Sequence, residues 1–301
     1  MLPSGFIFIQ RDWLSSNSLL ISDENSSFLF DSGYVTHALQ LLQLVKHGLR
    51  DQPLDVLINT HLHSDHCGGN ALLQSIFPQL ECWIPDTQLQ TVDVWDEPSL
   101  TFALTGQSCH RFSPTSGIQP GQSLFICGLE WFVFSSPGHD NDSLIYFQPQ
   151  HRILISADAL WENGFSVVFP EFLGGTGFDN VAATYDLIES LNPVVVIPGH
   201  GPIFSDLNKA LELSRRRLDQ FIAQPQLHAL YASKVMVKFK MMEFKQCKYA
   251  QLTNWASSSD LLQLLHKDYF EGSFDTWLDS VINELIQRNA LKLSSDIILD
   301  C

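Results

Sequence analysis

Residues 61–66 read His61-Leu62-His63-Ser64-Asp65-His66, and they follow the apolar run 54–58. The apolar run predicts a buried strand, so three histidines and an aspartate leave a rigid strand end and enter a loop. Neutral imidazole and carboxylate groups suit zinc, manganese or iron, and such a loop can direct alternate side chains toward one point. The hexad therefore predicts a metal site. A histidine-rich surface loop is the alternative that the hexad by itself leaves open.

Three further polar residues each stand just after an apolar, strand-like stretch. His139 follows the turn Pro137-Gly138, His200 follows the turn Pro198-Gly199, and Asp158 ends the third stretch. A single histidine after a strand is more often a hydrogen-bonding group than a metal ligand. Three such sites combined with the hexad favour a ligand set, because Pro-Gly turns allow a close backbone approach and fix the direction of the next side chain.

At these residues the chain resembles the metallo-β-lactamase superfamily of metallohydrolases. The H-x-H-x-D-H hexad, the later histidine, the aspartate and the final histidine stand in the order of that family. Asp31-Ser32-Gly33 is similar to its early D-x-G turn, and Pro120-Gly121-Gln122-Ser123 also looks like the family pattern. The resemblance covers roughly residues 5–205. It implies an α/β fold, a four-layer αββα sandwich, with the site at one edge of the paired sheets.

The resemblance also implies two divalent metal ions with a defined ligand set. One ion would be held by His61, His63 and His139, the second by Asp65, His66 and His200, with Asp158 bridging both. Two dications about 3.5–4 Å apart can share a hydroxide and activate it for attack on a carbonyl or phosphorus centre. Asp65 is the expected catalytic residue, since it could orient the nucleophile and pass a proton to the leaving group. Asp31 would orient the ligand loop. Zinc is the first expectation for the metal, with iron and manganese as alternatives.

A bridging Asp158 resembles the glyoxalase II, lactonase and related dinuclear branches rather than the true β-lactamases. The expected function is a metal-dependent hydrolase that acts on a small-molecule ester, thioester or lactone. Against glyoxalase II itself, Asp140-Asn141-Asp142-Ser143 lacks the threonine and basic groups suited to a glutathione carboxylate. The aromatic-rich run 159–172 is either core packing or a pocket wall. Trp95 and Phe102, in the irregular stretch 95–120, are further candidates for a pocket wall.

Pro225 marks the predicted boundary between a hydrolase domain at 1–225 and a helical domain at 226–301. In the second domain the sequence predicts helices at 227–244, 258–266 and 274–288, followed by a hairpin, which is the order of a winged helix. Some branches of the superfamily carry a similar domain. A helical cap or dimerisation element without a nucleic-acid role is the favoured interpretation, so a homodimer is a further expectation.

The net charge of −16 is unevenly spread along the chain. Residues 209–248 carry nine basic and three acidic side chains, a local balance of +6 that leaves −22 for the remainder. Such an acidic body does not suit a phosphate backbone, so nucleic acid is not an expected partner. A metal-dependent nuclease or phosphodiesterase stays open as an alternative, with phosphates held by Arg215, Arg216, Arg217, Lys234, Lys238 and Lys240. A non-catalytic metal-binding regulatory protein is the third hypothesis, and the intact ligand set weighs against it.

The sequence gives no sign of export or of membrane insertion. No apolar run approaches the roughly 18 residues that span a bilayer, and residues 1–12 lack the features of a signal peptide. The six cysteines are scattered without a C-x-x-C pair. A cytoplasmic protein with reduced thiols and no membrane contact is therefore expected.

Overall fold

The computed structural model describes residues 2–301 and divides them into two compact units. The larger unit comprises the chain through Leu100 together with Ser108–Leu218, and the smaller comprises Thr101–Gln107 and Asp219–Cys301. The division thus lies shortly before Pro225. That residues 226–301 form a domain of their own stays a prediction.

Two β-sheets form the framework of the larger unit. The first has six strands that neighbour one another in chain order: β1 (Phe6–Ile9), β2 (Ser18–Ser22), β3 (Ser27–Phe30), β4 (Val56–Ile58), β5 (Glu81–Pro85) and β6 (Ser116–Ile118). The second has five strands, β7 (Ser123–Ile126), β8 (Leu129–Ser135), β9 (Leu144–Gln148), β10 (Ile153–Ala157) and β11 (Val195–Pro198), in the order β11-β10-β9-β8-β7. The pairs from β3 to β6 and the pair β10–β11 are parallel, and the other neighbours are antiparallel.

Helices connect the parallel strands, because a parallel pair requires a crossover. The α-helices up to residue 223 are α1 (Ala38–Gly48), α2 (Ser64–Cys67), α3 (Asn70–Ile76), α4 (Leu89–Val94), α5 (Phe102–Thr105), α6 (Phe169–Phe172), α7 (Gly177–Leu191) and α8 (Leu207–Ala223). Helix α1 links β3 to β4, α2 and α3 link β4 to β5, and α6 and α7 link β10 to β11. Helix α5 and strand β6 lie in the stretch 95–120 that the sequence marks as irregular.

The main core lies between the two sheets. Phe28 and Phe30 of the first sheet and Trp131 and Tyr146 of the second belong to one buried cluster. Successive residues of a strand point to opposite faces, and Leu29 is nevertheless fully buried. Both faces of the sheet are therefore covered, one by the other sheet and one by helices. This is the layered α/β architecture that the sequence predicts.

The smaller unit contains four further helices and a three-stranded sheet. Its elements after α8 are α9 (Pro225–Phe244), β12 (Gln246–Lys248), α10 (Tyr249–Ser258), α11 (Asp260–Tyr269), α12 (Phe274–Gln287), β13 (Leu291–Ser294) and β14 (Ile297–Asp300). The strands are antiparallel in the order β12-β14-β13. The sequence prediction of three helices and a hairpin missed α10, which buries only Leu252 and Ala256 and so shows no apolar stripe. The winged-helix-like assignment stays a prediction. Within residues 2–301, no helix has the length and apolar character to cross a membrane.

Candidate metal centre

The predicted site residues lie at the carboxyl ends of strands from both sheets. The hexad follows β4 and continues into α2, which begins at Ser64, so Asp65 and His66 stand on a helical turn rather than in a loop. His139 follows β8, Asp158 follows β10 and His200 follows β11. Strands β8, β10 and β11 run in one direction in the second sheet and end at the same edge, which explains how His139, Asp158 and His200 meet although they are far apart in sequence.

Backbone hydrogen bonds tie these strand ends to the β1–β2 connection. The amide of Ser16 donates to the carbonyl of Asp65 (2.9 Å), and the amide of Asn17 donates to the carbonyl of Gly199 (2.6 Å). The side-chain amide of Asn17 also donates to the carbonyls of Pro198 (3.0 Å) and Gly201 (2.8 Å). The connection therefore holds two of the ligand-bearing loops in place.

One group of imidazole nitrogens converges on a single point. Nδ1 of His63 lies 3.1 Å from Nε2 of His61 and 2.6 Å from Nε2 of His139. The outer nitrogen of His61 contacts the Thr60 hydroxyl at 3.1 Å, and Nδ1 of His139 donates to the carbonyl of Val167 at 2.6 Å. Those outer contacts orient the two rings so that both present Nε2 inward.

A second group combines Asp65, His66 and His200. Oδ2 of Asp65 lies 3.1 Å from Nε2 of His200 and 4.0 Å from Nε2 of His66. Together with the first group and with the set His61, His66 and Asp158, this gives three clusters in which the potential donor atoms all lie within 4.8 Å of one another. The overlap of the clusters makes one continuous donor set.

Asp158 stands between the two groups. Its Oδ2 lies 3.4 Å from Nε2 of His139 and 3.8 Å from Nε2 of His200, and its Oδ1 lies 3.4 Å from Nε2 of His66. The preceding Ala157 has φ +47°, an uncommon backbone conformation for a non-glycine residue. That conformation falls at an irregularity in the β10–β11 pairing and directs the carboxylate out of the strand.

Asp31 contacts His66 on the ring nitrogen that faces away from the other proposed ligands. Its Oδ2 lies 2.8 Å from Nδ1 of His66 and accepts a hydrogen bond of 2.8 Å from the Thr60 hydroxyl. Its Oδ1 accepts another of 2.8 Å from the Thr60 amide. These contacts place Asp31 where the resemblance implies, behind a ligand histidine.

Burial keeps the first group of imidazoles uncharged. It lowers the pKa of His63 and of His139 to about 4, and it lowers the pKa of His61 well below the usual value, helped by the neighbouring imidazoles of His66 and His63. The neutral imidazole carries the free lone pair that a metal ligand needs.

The carboxylates of the site are held in the charged form. Burial by itself would raise the pKa of Asp158, but His66 and His200 lower it well below its usual range. Burial likewise acts against ionised Asp65, and the hydrogen bond with His200 and the charge of His66 outweigh it, so that pKa is lowered. For His66 burial favours the neutral ring, but Asp158 and Asp31 raise its pKa well above the usual value. A cation at this position is thus electrostatically favoured.

The donor set fits a pair of metal ions. Nε2 of His66 is buried and has no hydrogen-bond partner in residues 2–301, although two carboxylates face it. A buried polar atom without a partner is rare in folded proteins and indicates that something else satisfies it. Gly199 leaves the necessary space, because a Cβ there would lie 2.1 Å from Oδ1 of Asp158.

The structure therefore brings together all of the predicted ligands, His61, His63, Asp65, His66, His139, Asp158 and His200. That they bind metal stays a prediction. The aromatic-rich run after Asp158 divides: Trp161 and Phe169 contact site histidines, whereas Phe165 and Phe172 are buried in the core. Trp95 packs on Phe112, and Phe102 lies in the smaller unit.

Trp13 and Asp140 contact the site, and the sequence did not predict either contact. Trp13, in the β1–β2 connection, stacks on the His200 ring with centroids 5.3 Å apart and an interplanar angle of 6°. Oδ2 of Asp140 lies 3.6 Å from Nε2 of His63, the ring nitrogen that points away from the first group. A lone tryptophan in a turn carries no local signal. For Asp140, the only sequence signal was its position directly after His139.

Residues 11–200, well over half of the chain, match the metallo-beta-lactamase superfamily. The chain belongs to this superfamily. The four-layer fold class predicted from the sequence is confirmed with it: a metallo-beta-lactamase family protein from Thermus thermophilus superposes with a TM-score of 0.58 at 16% identity, over 100% of both chains.

Two relatives of this metallo-β-lactamase superfamily member carry the names of hydrolytic enzymes. The chain is 27% identical over 150 residues to a hydroxyacylglutathione hydrolase of Xanthomonas campestris pv. campestris, which covers 50% of this chain and 48% of the relative. It is 23% identical over 197 residues to an atrochrysone carboxyl ACP thioesterase of Aspergillus terreus, covering 64% of this chain and 51% of the relative. The matches thus span about half the length of these relatives.

Proposed function

We propose that this chain is a dinuclear metal-dependent hydrolase of an ester, thioester or lactone-type small molecule. The observation that carries the proposal is the continuous donor set, in which Asp158 faces nitrogens of both imidazole groups. In this assignment His61, His63 and His139 hold one ion, Asp65, His66 and His200 hold the other, and Asp158 bridges them. Zinc is the proposed metal, and iron or manganese would suit the same ligands.

Asp65 and Asp31 have distinct proposed roles in hydrolysis. Two bound dications would lower the pKa of a shared water toward neutrality and polarise the substrate oxygen. Asp65, held ionised beside His200 at 3.1 Å, is positioned to accept the proton of the nucleophile and return it to the leaving group. Asp31 keeps His66 oriented through its 2.8 Å contact, so that the reacting geometry persists through turnover.

The named relatives support an acyl substrate. A hydroxyacylglutathione hydrolase and an ACP thioesterase, both named for cleavage of an acyl bond, are each similar to part of this chain, over 150 and 197 residues. A thioester carbonyl offers the electrophile that such a centre attacks. Among the three substrate types, a thioester is therefore our first choice.

A phosphodiesterase function receives less support, because most cations proposed to hold phosphates are already neutralised. The ion pairs are Arg215 with Asp186 and Glu189 (2.8 Å each), Arg216 with Glu212 (3.2 Å), Lys234 with Glu284 (3.0 Å), Lys238 with Asp300 (2.6 Å) and Lys240 with Glu243 (2.6 Å). A phosphate backbone would have to displace these carboxylates. A regulatory protein without catalysis also receives less support, because the named relatives are hydrolytic enzymes.

A substrate panel tests the proposal. The zinc-, iron- or manganese-loaded chain is offered acyl thioesters, p-nitrophenyl esters, lactones and a labelled oligonucleotide. Turnover of a thioester, ester or lactone that is lost in Asp158→Ala and His63→Ala, both still folded by circular dichroism, is the expected result. Cleavage of the oligonucleotide alone, with an affinity that falls steeply with salt, would overturn it in favour of a nuclease.

A further inference from the structure

Three aromatic side chains surround the imidazoles of the centre. Beside the second group, Trp161 meets the His200 ring at 5.3 Å and the Trp13 ring at 5.1 Å, with interplanar angles of 75° and 69°. Beside the first group, the Phe169 ring lies 5.2 Å from that of His63. The two proposed metal ions are therefore flanked by two indole rings on one side and by a phenyl ring on the other.

Trp13 is held in place and yet remains open to solvent. Its stacking on His200 covers one face of the indole, and Trp161 contacts it edge to face, but the residue is still 53% exposed. The adjacent Leu14 is 1% exposed, so the backbone here is anchored and not a loose turn. An exposed indole face at the edge of the site is thus available to contact an apolar group of a ligand.

Acidic side chains lie beside the first group of imidazoles, outside the proposed ligand set. In the described part of the larger unit, the ion pairs of the seven proposed ligands join histidines and aspartates, and no lysine or arginine. Asp140 lies beside His63, and Asp142 accepts a hydrogen bond from Gln88. An anionic substrate group that extends past the proposed metal ions on this side would meet these acids, so an uncharged group is favoured there.

We propose that Trp13 and Phe169 are the specificity-determining residues of this site, and that they bind the flat, uncharged aromatic acyl group of the substrate. This inference rests on the proposed hydrolase function. The free face of the Trp13 indole supplies the stacking surface, and Phe169 closes the opposite side against the ring edge. Offset stacking and edge-to-face contacts are the preferred arrangements of aromatic pairs. Trp161 braces Trp13 and donates its indole N–H to Oδ1 of Asp158 at 3.2 Å.

Three thioesters of one thiol, N-acetylcysteamine, test the selectivity with the metal-loaded full chain. They carry a phenylacetyl, an acetyl or an anionic succinyl group. We expect kcat/KM to be about tenfold or more higher for phenylacetyl than for acetyl, mainly through KM, and lowest for succinyl. Trp13→Ala and Phe169→Ala should each reduce the phenylacetyl-to-acetyl ratio several-fold, with Trp13→Phe recovering part of it. A ratio that both alanine variants leave unchanged would overturn the proposal.

Phe125→Ala is the matched control, because Phe125 is 72% exposed on strand β7 and is not part of the site. It should leave the ratio unchanged. A reduction as large as that in Trp13→Ala would contradict the proposal, since any exposed aromatic residue would then act alike. Metal content of each variant, measured by elemental analysis, should stay at the wild-type value and so separates selectivity from loss of the centre.

Binding of non-hydrolysable thioethers separates this inference from the function on which it rests. If the loaded chain turns over no thioester, ester or lactone, the hydrolase proposal fails. Calorimetry with phenylethyl and ethyl thioethers of N-acetylcysteamine still decides the aromatic site. Tighter binding of the phenylethyl compound, lost in Trp13→Ala, supports it, and equal binding of the two compounds to the wild type overturns it.

Discussion

The carboxylate of Asp31 lies 2.8 Å from Nδ1 of His66, which leaves Nε2 of that ring facing Asp65 and Asp158. This pairing fixes the ring orientation and increases the basicity of the inward nitrogen. Asp31→Asn should therefore weaken metal binding about 10- to 100-fold, as measured by competition with a chelator. Asparagine tolerates the positive φ of +56° at this position, so the fold should persist. Unchanged metal affinity would show that the pairing plays no part in the centre.

Trp161 also helps to position Asp158, the proposed bridging ligand. Its indole N–H donates to Oδ1 of Asp158 at 3.2 Å. Trp161→Phe keeps an aromatic ring beside His200 but removes the donor. We expect about a tenfold loss of metal affinity with little change in thermal stability. If chelator titrations of variant and wild type coincide, the hydrogen bond does not help to position the carboxylate.

Gly199 should tolerate no side chain. A Cβ at this position would lie 2.1 Å from Oδ1 of Asp158 and 3.0 Å from Cε1 of His66. Gly199→Ala should therefore displace the bridging carboxylate and reduce the bound metal to one ion per chain or fewer. Gly201→Ala is the control, because its Cβ meets nothing within 4 Å, although φ is +83°. That variant should lose about 1–2 kcal/mol of stability and keep its metal; equal metal loss in both would refute the steric argument.

Acidification should destabilise the metal-free protein. Burial lowers the pKa of His63 and His139 from 6.5 to about 4. Between these values the unfolded chain binds more protons than the folded one, so stability falls as the pH falls through this window. Asp140, whose pKa burial raises to about 6, opposes the trend, whereas His228, whose pKa burial lowers to about 3, adds to it. We expect the calorimetric melting temperature in chelator to drop by several degrees from pH 7 to pH 4.5, and by less in His139→Asn. A constant melting temperature would contradict this.

The residues that meet at the site could be predicted from the sequence because they stand shortly after apolar, strand-like runs, and the family resemblance implied which of them would be metal ligands. Apolar runs and Pro-Gly turns near His139 and His200 are local signals, and strand ends of a layered sheet meet at one edge. The contact of Trp13 with His200 could not be predicted, because it depends on how the β1–β2 connection bonds to distant loops. For the aromatic run after Asp158, the sequence likewise does not indicate which side chains contact the site. Only tertiary packing decides that Phe169 contacts the site histidines while Phe165 is buried in the core.

The count of metal ions per chain tests the central claim most directly. The full chain is stripped with chelator, reconstituted with zinc, iron or manganese, freed of excess metal and measured by elemental analysis. With the seven proposed ligands intact, the predicted result is close to two ions per chain, reduced in Asp158→Ala. No bound ion after reconstitution with any of the three metals would contradict the account.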